Sequence, residues 1–253
     1  MSKNIAVIFA GGSGARMGAG IPKQFIKVDG TPIIQYTLEN FEDHSEIDEI
    51  YISCKAGYLE PLREIVRKGM LRKVAQVVVG GNTALESTYN ALQAVRENCS
   101  PEDIVLIHDG VRPCITDEII SENITSVKMH GSAVTVAAMF ETPIISNGED
   151  VIEGVVPRDR FFTAQAPQSF YLHDILEAHE QVRATNPTYE GIVDSCTLMH
   201  SLGKQVALVR GNRGNIKVTT PEDLYIFQGL LQYREAWQAF GVAEREIPHI
   251  LKK

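Results

Sequence analysis

The residues best suited to chemistry lie near the start of the chain, in a glycine-rich turn after a hydrophobic run. The run IAVIFA (5–10) is followed by GGSGARM, which contains Arg16, and Lys23 comes directly after Pro22. Glycines allow a backbone to approach a ligand closely, and successive free N–H groups suit phosphate oxygens. Two cations beside such a loop indicate phosphoryl or nucleotidyl transfer, in which catalysis depends on positioning and charge neutralisation.

This glycine pattern matches neither of two common nucleotide-binding loops. In a dinucleotide-binding GxGxxG loop starting at Gly12, Met17 stands where the last glycine or alanine belongs. A P-loop closes with GK and then Ser or Thr, and this chain has no such closure after the turn. A glycine-rich turn after a strand can also be only a tight turn, with both cations solvated. The pattern alone leaves these alternatives open.

The composition is that of an ordinary globular protein with an acidic balance. The chain has 253 residues, 44% of them hydrophobic and 22% charged, and a formal net charge of −8. Such a charge excludes a general attraction to nucleic acid, so the cations for an anionic substrate must be concentrated locally. We expect a single domain over residues 1–253, large enough to form a normal core.

Cysteine usage and hydropathy indicate where the protein works. The four cysteines, Cys54, Cys99, Cys114 and Cys196, form no CxxC pair, which argues against a zinc ribbon or a secreted disulfide scaffold. The sequence has no signal-peptide pattern, and no apolar stretch approaches the roughly 20 residues of a membrane span. We therefore expect a cytoplasmic protein without a membrane or nucleic-acid partner.

Short β-rich runs that alternate with helical patterns must position the chemical groups. Strands are predicted at 5–10, 49–54, 75–80, 103–109, 133–140 and 205–211. Helices are predicted at 32–41, 58–70, 84–98, 117–130, 172–184, 194–203 and 221–237. Continuous apolar strands followed by helices predict an α/β fold, with a Rossmann-like, mostly parallel sheet covered on both faces. Ligands bind beyond the carboxyl ends of such strands, where GGSGARM, GGNTALES and HDGVRP lie.

Residues 141–170 interrupt this alternation. The segments TPIIS and VIEGVV flank Asn147-Gly148, a good hairpin signal. We expect a projecting β-arm at residues 141–165 that packs on a partner subunit. The alternative is a surface hairpin that covers its own sheet.

Six ordered motifs across residues 5–227 resemble the cytidylyltransferases that act on sugar and polyol phosphates. They are GGSGARM, PKQF, the GG near residue 80, HDGVRP, QAPQSF and NIKVTTPEDL. The resemblance implies a GT-A-like nucleotidyltransferase fold, CTP as substrate, Mg²⁺ as cofactor and a homodimer formed through the arm. Two branches stand out, the ribitol-phosphate enzymes of wall and capsule synthesis and the methylerythritol-phosphate enzymes of isoprenoid synthesis.

The resemblance also implies roles for particular residues. The implied catalytic residues are Arg16, Lys23, Lys217 and Asp109, of which Asp109 also meets the metal. The implied CTP-binding residues are Ala10, Gly11, Gly12, Ser13, Gly14, Gly81, Asn82, Ser87 and Gly110. The implied sugar-phosphate-binding residues are Arg112, Thr142, Arg158 and Asp194, with Thr142 and Arg158 reaching the partner's pocket. The chain departs from the family at Ala84, where an arginine is usual, and Asp194 is at least as well explained as a helix N-cap.

The implied reaction needs no general base. A phosphate monoester has its second pKa at about 6, so the attacking phosphate is already largely dianionic at neutral pH. We therefore expect His108 to be a buried structural histidine and Cys114 and Cys196 to be small core residues.

Two motifs bear on the acceptor. FAGG and VDSCTLM are typical of the ribitol-phosphate branch, whereas the isoprenoid branch typically shows PAAG and TDEAS. We expect D-ribitol 5-phosphate as acceptor, with 2-C-methyl-D-erythritol 4-phosphate as the alternative. Two other classes remain as hypotheses, a nicotinamide-dependent oxidoreductase and an inactive nucleotide-binding protein. The broken GxGxxG argues against the first, and the intact set Arg16, Lys23, Asp109 and Lys217 argues against the second.

Overall fold

The structure, a computed structural model, describes residues 2–12 and 20–239. Its strands are β1 (Asn4–Ala10), β2 (Lys27–Val28), β3 (Thr31–Pro32), β4 (Glu49–Cys54), β5 (Val74–Val79), β6 (Ile104–Asp109), β7 (Ser132–Ala138), β8 (Ile144–Ser146), β9 (Ile152–Val155), β10 (Phe162–Tyr171) and β11 (Leu208–Arg210). Its α-helices are α1 (Ile33–Asp43), α2 (Leu59–Lys68), α3 (Ala84–Asn98), α4 (Asp117–His130), α5 (Leu172–Thr185), α6 (Ser195–Ser201) and α7 (Pro221–Ala239).

Seven strands form one sheet in the order β11-β7-β10-β6-β1-β4-β5. All neighbouring pairs are parallel except those that β10 makes with β6 and β7. The predicted α/β fold with a mostly parallel sheet is therefore confirmed. The carboxyl ends of the parallel strands share one edge, where Phe9 of β1 pairs with Asp109 of β6. This edge positions the site.

Alternating side chains of the sheet face two helical layers. Along β1, Ile5 and Val7 belong to the core formed with α3, α5 and α6, whereas Ala6 and Ile8 face α1, α2 and α4. Both layers are apolar, which is why the central strands read as continuous hydrophobic runs. A third cluster packs Phe227 of α7 against Val218, beside the site.

Capping residues set the boundaries of two helices. The side chain of Thr83 accepts a hydrogen bond from Glu86 N at the start of α3. At the end of α4, Gly131 adopts φ +77°, a left-handed conformation that favours glycine. These signals explain why the predicted bounds of α3 and α4 agree with the structure.

The predicted strands lack the two-residue strands β2 and β3 and, as a larger correction, the ten-residue β10. Its sequence FTAQAPQSFY contains Pro167, and proline normally argues against a central strand. The strand accommodates it because the register with β7 shifts between Ala164 and Gln168. The first residues of β10 thus belong to the main sheet, whereas the sequence predicts an arm that extends to residue 165. The hairpin itself consists of β8 and β9. The last predicted strand is also shorter, since β11 covers only Leu208–Arg210.

None of the helices in the described part of the chain has the length and apolar character that crossing a lipid bilayer requires.

Candidate active site

Asp109 lies at the centre of the site, at the carboxyl end of β6, and is only 4% exposed. Its Oδ2 accepts a hydrogen bond from Arg112 Nε at 2.8 Å, and its Oδ1 lies 2.5 Å from Lys217 Nζ. Burial alone would raise the pKa of Asp109, but the charges of Arg112 and Lys217 lower it to about 2. The carboxylate is therefore ionised at neutral pH.

The two cations reach Asp109 from different elements. Arg112 follows β6 closely and donates from Nη1 to the carbonyl oxygen of Asn215 at 2.8 Å. Lys217 lies two residues beyond Asn215, and its side chain remains 41% exposed. A buried and an exposed cation thus flank one carboxylate, and the exposed one faces the open edge of the sheet.

Lys23 belongs to the same cluster through the backbone of Val218. Its Nζ donates to Val218 O at 2.9 Å, and Val218 N donates to Val111 O at 2.9 Å. A Cβ built on Gly12 would lie 3.4 Å from Lys23 Cε, so the start of the glycine turn passes directly beside this lysine. The structure therefore brings together Gly12, Lys23 and the residues around Asp109.

Glycines line the adjoining wall, where β1 and β5 end around the buried Ser87. The Ser87 hydroxyl accepts from Gly81 N at 3.1 Å and donates to Thr83 O at 2.8 Å. A Cβ on Gly11 would lie 2.8 Å from Ser87 Oγ, and one on Gly81 would lie 2.2 Å from Glu86 Cβ. Both positions therefore have no room for a side chain.

Two further contacts shape the end of β1. Gly110 N donates to Phe9 O at 3.0 Å, and a Cβ at Gly110 would lie 3.3 Å from that oxygen. Gln24 is buried and donates from Nε2 to Ala10 O at 2.6 Å. Sequence reasoning assigned no role to Gln24, although the PKQF motif contains it.

The chain matches one protein family over most of its length. The family model described as 2-C-methyl-D-erythritol 4-phosphate cytidylyltransferase matches residues 4–233. The chain belongs to this cytidylyltransferase family.

Relatives of this cytidylyltransferase carry two names. The ribitol-5-phosphate cytidylyltransferase of Vibrio parahaemolyticus is 45% identical over 239 residues, which cover 94% of this chain and 100% of the relative. The 2-C-methyl-D-erythritol 4-phosphate cytidylyltransferase of Clostridium botulinum is 37% identical over 232 residues, covering 92% and 99%. Among solved structures, the 4-diphosphocytidyl-2C-methyl-D-erythritol synthase of Anaerococcus prevotii matches with a TM-score of 0.78 and 27% identity, covering 91% of this chain and 96% of that one.

Several residues that the sequence assigns to the site make none of the contacts described above around Asp109. Thr142 and Arg158 are exposed beside the hairpin, and Arg158 Nη1 donates to Phe140 O at 2.8 Å. Asn82 is exposed before α3, and its N–H donates to Glu86 Oε2 at 2.6 Å. Ser13, Gly14 and Arg16 lie outside the described residues.

Asp194 adopts the N-cap arrangement that the sequence left open. Its Oδ1 accepts from Thr197 N at 2.8 Å in a capping box at the start of α6. Its Oδ2 accepts from Gln168 Nε2 at 2.9 Å. Both carboxylate oxygens of Asp194 are thus engaged within the protein.

His108 has the buried structural environment that the sequence predicts. Its Nε2 lies 3.2 Å from Arg112 O, and burial lowers its pKa to about 4. The imidazole is neutral at neutral pH, and because the carbonyl can only accept, Nε2 carries the proton. Burial also raises the pKa of the Cys114 thiol to about 11, which agrees with a core residue.

Proposed function

We propose that this cytidylyltransferase transfers the cytidylyl group of CTP to D-ribitol 5-phosphate, forming CDP-ribitol and pyrophosphate. The choice of acceptor rests on sequence identity. The chain is 45% identical to the Vibrio ribitol-5-phosphate enzyme and 37% identical to the Clostridium methylerythritol-phosphate enzyme, at nearly equal coverage. The FAGG and VDSCTLM motifs favour the same branch.

The reaction is an in-line displacement at the α-phosphorus of CTP. An oxygen of the acceptor phosphate forms a bond to that phosphorus, and the bond to the oxygen bridging the α- and β-phosphates breaks. Pyrophosphate leaves with the electron pair. Because the acceptor phosphate is already largely dianionic, with a second pKa of about 6, no side chain has to remove a proton.

The cations of the site address the main obstacle, which is the repulsion between two polyanions. We assign Lys23 and Lys217 to the phosphates, since Lys23 Nζ contacts Val218 O and Lys217 Nζ pairs with Asp109 at the carboxyl end of β6. Arg16 is assigned to the same task from the sequence resemblance. Such preorganised charges stabilise the transition state without reorganisation at the moment of reaction.

Asp109 fits a role as a Mg²⁺ ligand. It is an ionised oxygen donor, and each carboxylate oxygen has a second lone pair besides the one engaged by Arg112 or Lys217. The described residues contain no cluster of three or more metal-binding side chains. A single carboxylate suits Mg²⁺, which usually binds through one or two carboxylates together with substrate phosphates. When bound there, Mg²⁺ would supply neutralisation of phosphate charge.

We further propose that the hairpin of β8 and β9 packs on a second copy of this chain. The hairpin forms a sheet only with itself, and an isolated two-stranded hairpin is marginally stable in water. Its apolar side chains are between 48% and 64% exposed, namely Ile144, Ile145, Val151, Ile152 and Val155. A second copy would cover them and receive Thr142 and Arg158 at its sugar-phosphate pocket, as the sequence resemblance implies.

An acceptor panel tests the proposal. The purified protein is incubated with CTP and Mg²⁺ and with either D-ribitol 5-phosphate or 2-C-methyl-D-erythritol 4-phosphate, and pyrophosphate release is followed. We expect a kcat/KM at least about 100-fold higher for ribitol 5-phosphate, the order by which a pocket separates related substrates. Turnover with methylerythritol phosphate but not with ribitol 5-phosphate would refute D-ribitol 5-phosphate as the acceptor. Addition of EDTA should abolish turnover and excess Mg²⁺ restore it, and the variant Asp109→Asn controls for contaminating activity.

A further inference from the structure

The loop at 211–217 contains neither helix nor strand, yet it carries two of the contacts to the Asp109 cluster. The carbonyl of Asn215 holds Arg112, and Lys217 pairs with Asp109 two residues later. Irregular loops tend to be mobile, whereas charged groups must be held closely to be effective in catalysis. Some part of the fold must therefore fix this loop.

The side chain of Asn215 provides one attachment to the main sheet. Asn215 is completely buried, and its Nδ2 donates to Ala166 O at 2.8 Å and to Gln165 Oε1 at 3.3 Å. Both partners lie in β10, within the QAPQSF motif. The loop is thereby bonded to a ten-residue strand that is paired on both sides.

Gln165 provides a second attachment, in which a side chain of the strand donates to the loop. Its Nε2 donates to Asn212 O at 3.1 Å, while its Oε1 accepts from Asn215. The approach is close, because a Cβ built on Gly211 would lie 2.8 Å from Gln165 Oε1. One side-chain amide thus holds the loop at two points, three residues apart.

We propose that Gln165 and Asn215 form an amide clamp that positions Lys217 and Arg112 around Asp109 for the transfer reaction. The clamp residues are positioning residues, since they act on the substrate only through the two cations. The inference rests on the role proposed above for Lys217. It gives a function to QAPQSF and to the asparagine of NIKVT, neither of which has a chemical role in the mechanism.

A double-mutant cycle between Asn215 and Lys217 tests the clamp. We expect Asn215→Ala to lower kcat by about 10- to 100-fold, because a displacement of about 1 Å in a catalytic group has such effects. In the Lys217→Ala background the same substitution should lower kcat by less than about threefold, since the positioned cation assigned to the phosphates is missing and Arg112 stays paired with Asp109. Equal losses in both backgrounds would overturn the clamp.

Asn4→Ala is the matched control. Asn4 is also a buried asparagine whose amide donates to a backbone oxygen, Glu46 O at 2.8 Å, but it lies at the amino end of β1, away from Asp109. Among the described residues, the side-chain oxygens of Asn4 and Asn215 are both buried without a hydrogen-bond partner. We expect Asn4→Ala to lower the Tm by about as much as Asn215→Ala while kcat stays within about twofold, because both remove one buried amide. A comparable loss of kcat in Asn4→Ala would mean that lowered stability explains the result, and would overturn the clamp.

A second variant keeps the test available if Asn215→Ala does not fold. Gln165 is only half-buried, and Gln165→Ala should show the same lower kcat and the same dependence on Lys217. The cycle uses whichever acceptor wild type turns over fastest, so an incorrect ribitol assignment leaves it intact. Normal turnover by Lys217→Ala itself would refute the proposed role of that lysine, and the clamp with it.

Discussion

The ammonium group of Lys217 lies 2.5 Å from Oδ1 of Asp109, and this ion pair joins the loop after β11 to the end of β6. Arg112 occupies the other oxygen of the same carboxylate at 2.8 Å. Asp109 therefore fixes the positions of two cations, one buried and one facing the open sheet edge. The neighbouring Lys23 is tied to the same segment through Val218 O. This cluster is the basis of the predictions for the reaction.

Lys23→Ala should reduce turnover much more than it weakens CTP binding. Removing one preorganised donor from developing charge costs about 2–4 kcal/mol, or roughly 30- to 1,000-fold in kcat. Steady-state kinetics give kcat, and calorimetric titration with CTP gives the dissociation constant, which should change less than about tenfold since other donors hold the triphosphate. Lys27→Ala is the control, because Lys27 is exposed on the short strand β2. Near-normal kcat in Lys23→Ala would contradict the assignment.

Asp109→Asn should both stop turnover and destabilise the fold. The substitution leaves Arg112, which is 9% exposed, without its carboxylate, and breaking a buried ion pair costs about 3–5 kcal/mol. Urea unfolding at pH 7 measures the loss. The effect should be smaller at low pH, because the folded pKa of Asp109 is about 2, below the usual 3.8. Wild type itself loses this contribution as the pH falls through that window. An unfolding free energy equal to that of wild type at pH 7 would contradict this view of Asp109.

Much of the fold follows from local sequence patterns. The segments that become β1, β4 and β6 are nearly continuous apolar runs. Such runs indicate strands that are buried on both faces, and they can be recognised without knowledge of the rest of the chain. Because parallel strands end at the same edge, the position of Asp109 beside the end of β1 could also be predicted.

The parts that could not be predicted depend on contacts between distant segments. The strand β10 contains Pro167, and it forms a strand only because β6 and β7 pair with it on either side. The bonds from Asn215 to Gln165 and Ala166 likewise require the finished sheet. Gln24 gave no signal beyond its place in a motif, because the partner of its buried amide is a backbone carbonyl.

Gly81→Ala should destabilise the protein and weaken CTP binding together. The added Cβ would lie 2.2 Å from Glu86 Cβ, so the start of α3 must move. Overpacking of this kind costs about 1–3 kcal/mol. Gly229→Ala is the matched control, since Gly229 sits inside α7 and, apart from its chain neighbours and the backbone of its own helix, no described atom lies within 4 Å of its added Cβ. That substitution should stabilise the protein by about 0.5–1 kcal/mol. Thermal unfolding with and without CTP distinguishes the two variants. Equal Tm values for both would contradict the close packing of Gly81 against Glu86.

Two buried histidines should make the fold sensitive to mild acid. Burial lowers the pKa of His108 to about 4 and that of His179 to about 3, from the usual 6.5 in each case. Below pH 6.5 the unfolded chain binds protons that the folded protein does not, so stability falls as the pH falls from 6.5 towards 4. Each histidine can change the free energy of unfolding by at most about 1.4 kcal/mol per pH unit.

His179→Gln tests this dependence. The wild-type imidazole lies 2.6 Å from Tyr189 Oη through Nδ1, a contact that an amide can replace in part. The variant should lose less stability than wild type between pH 6.5 and 5, by up to about 1.4 kcal/mol per pH unit. Urea unfolding at several pH values measures both slopes. Parallel stability curves for the two proteins would contradict the prediction.

Ile152→Lys should convert the proposed dimer into monomers. Ile152 is 60% exposed on the hairpin, and a lysine there would carry its charge into the apolar interface with the second copy. Ile226→Lys is the matched control, because Ile226 is 51% exposed but lies on α7. Sedimentation velocity should show a dimer for wild type and Ile226→Lys and a monomer for Ile152→Lys. Turnover should fall with the dimer, since Arg158 and Thr142 would no longer reach the pocket of the second copy. A fully active wild-type monomer would contradict the proposal that the second copy receives Thr142 and Arg158 at its pocket.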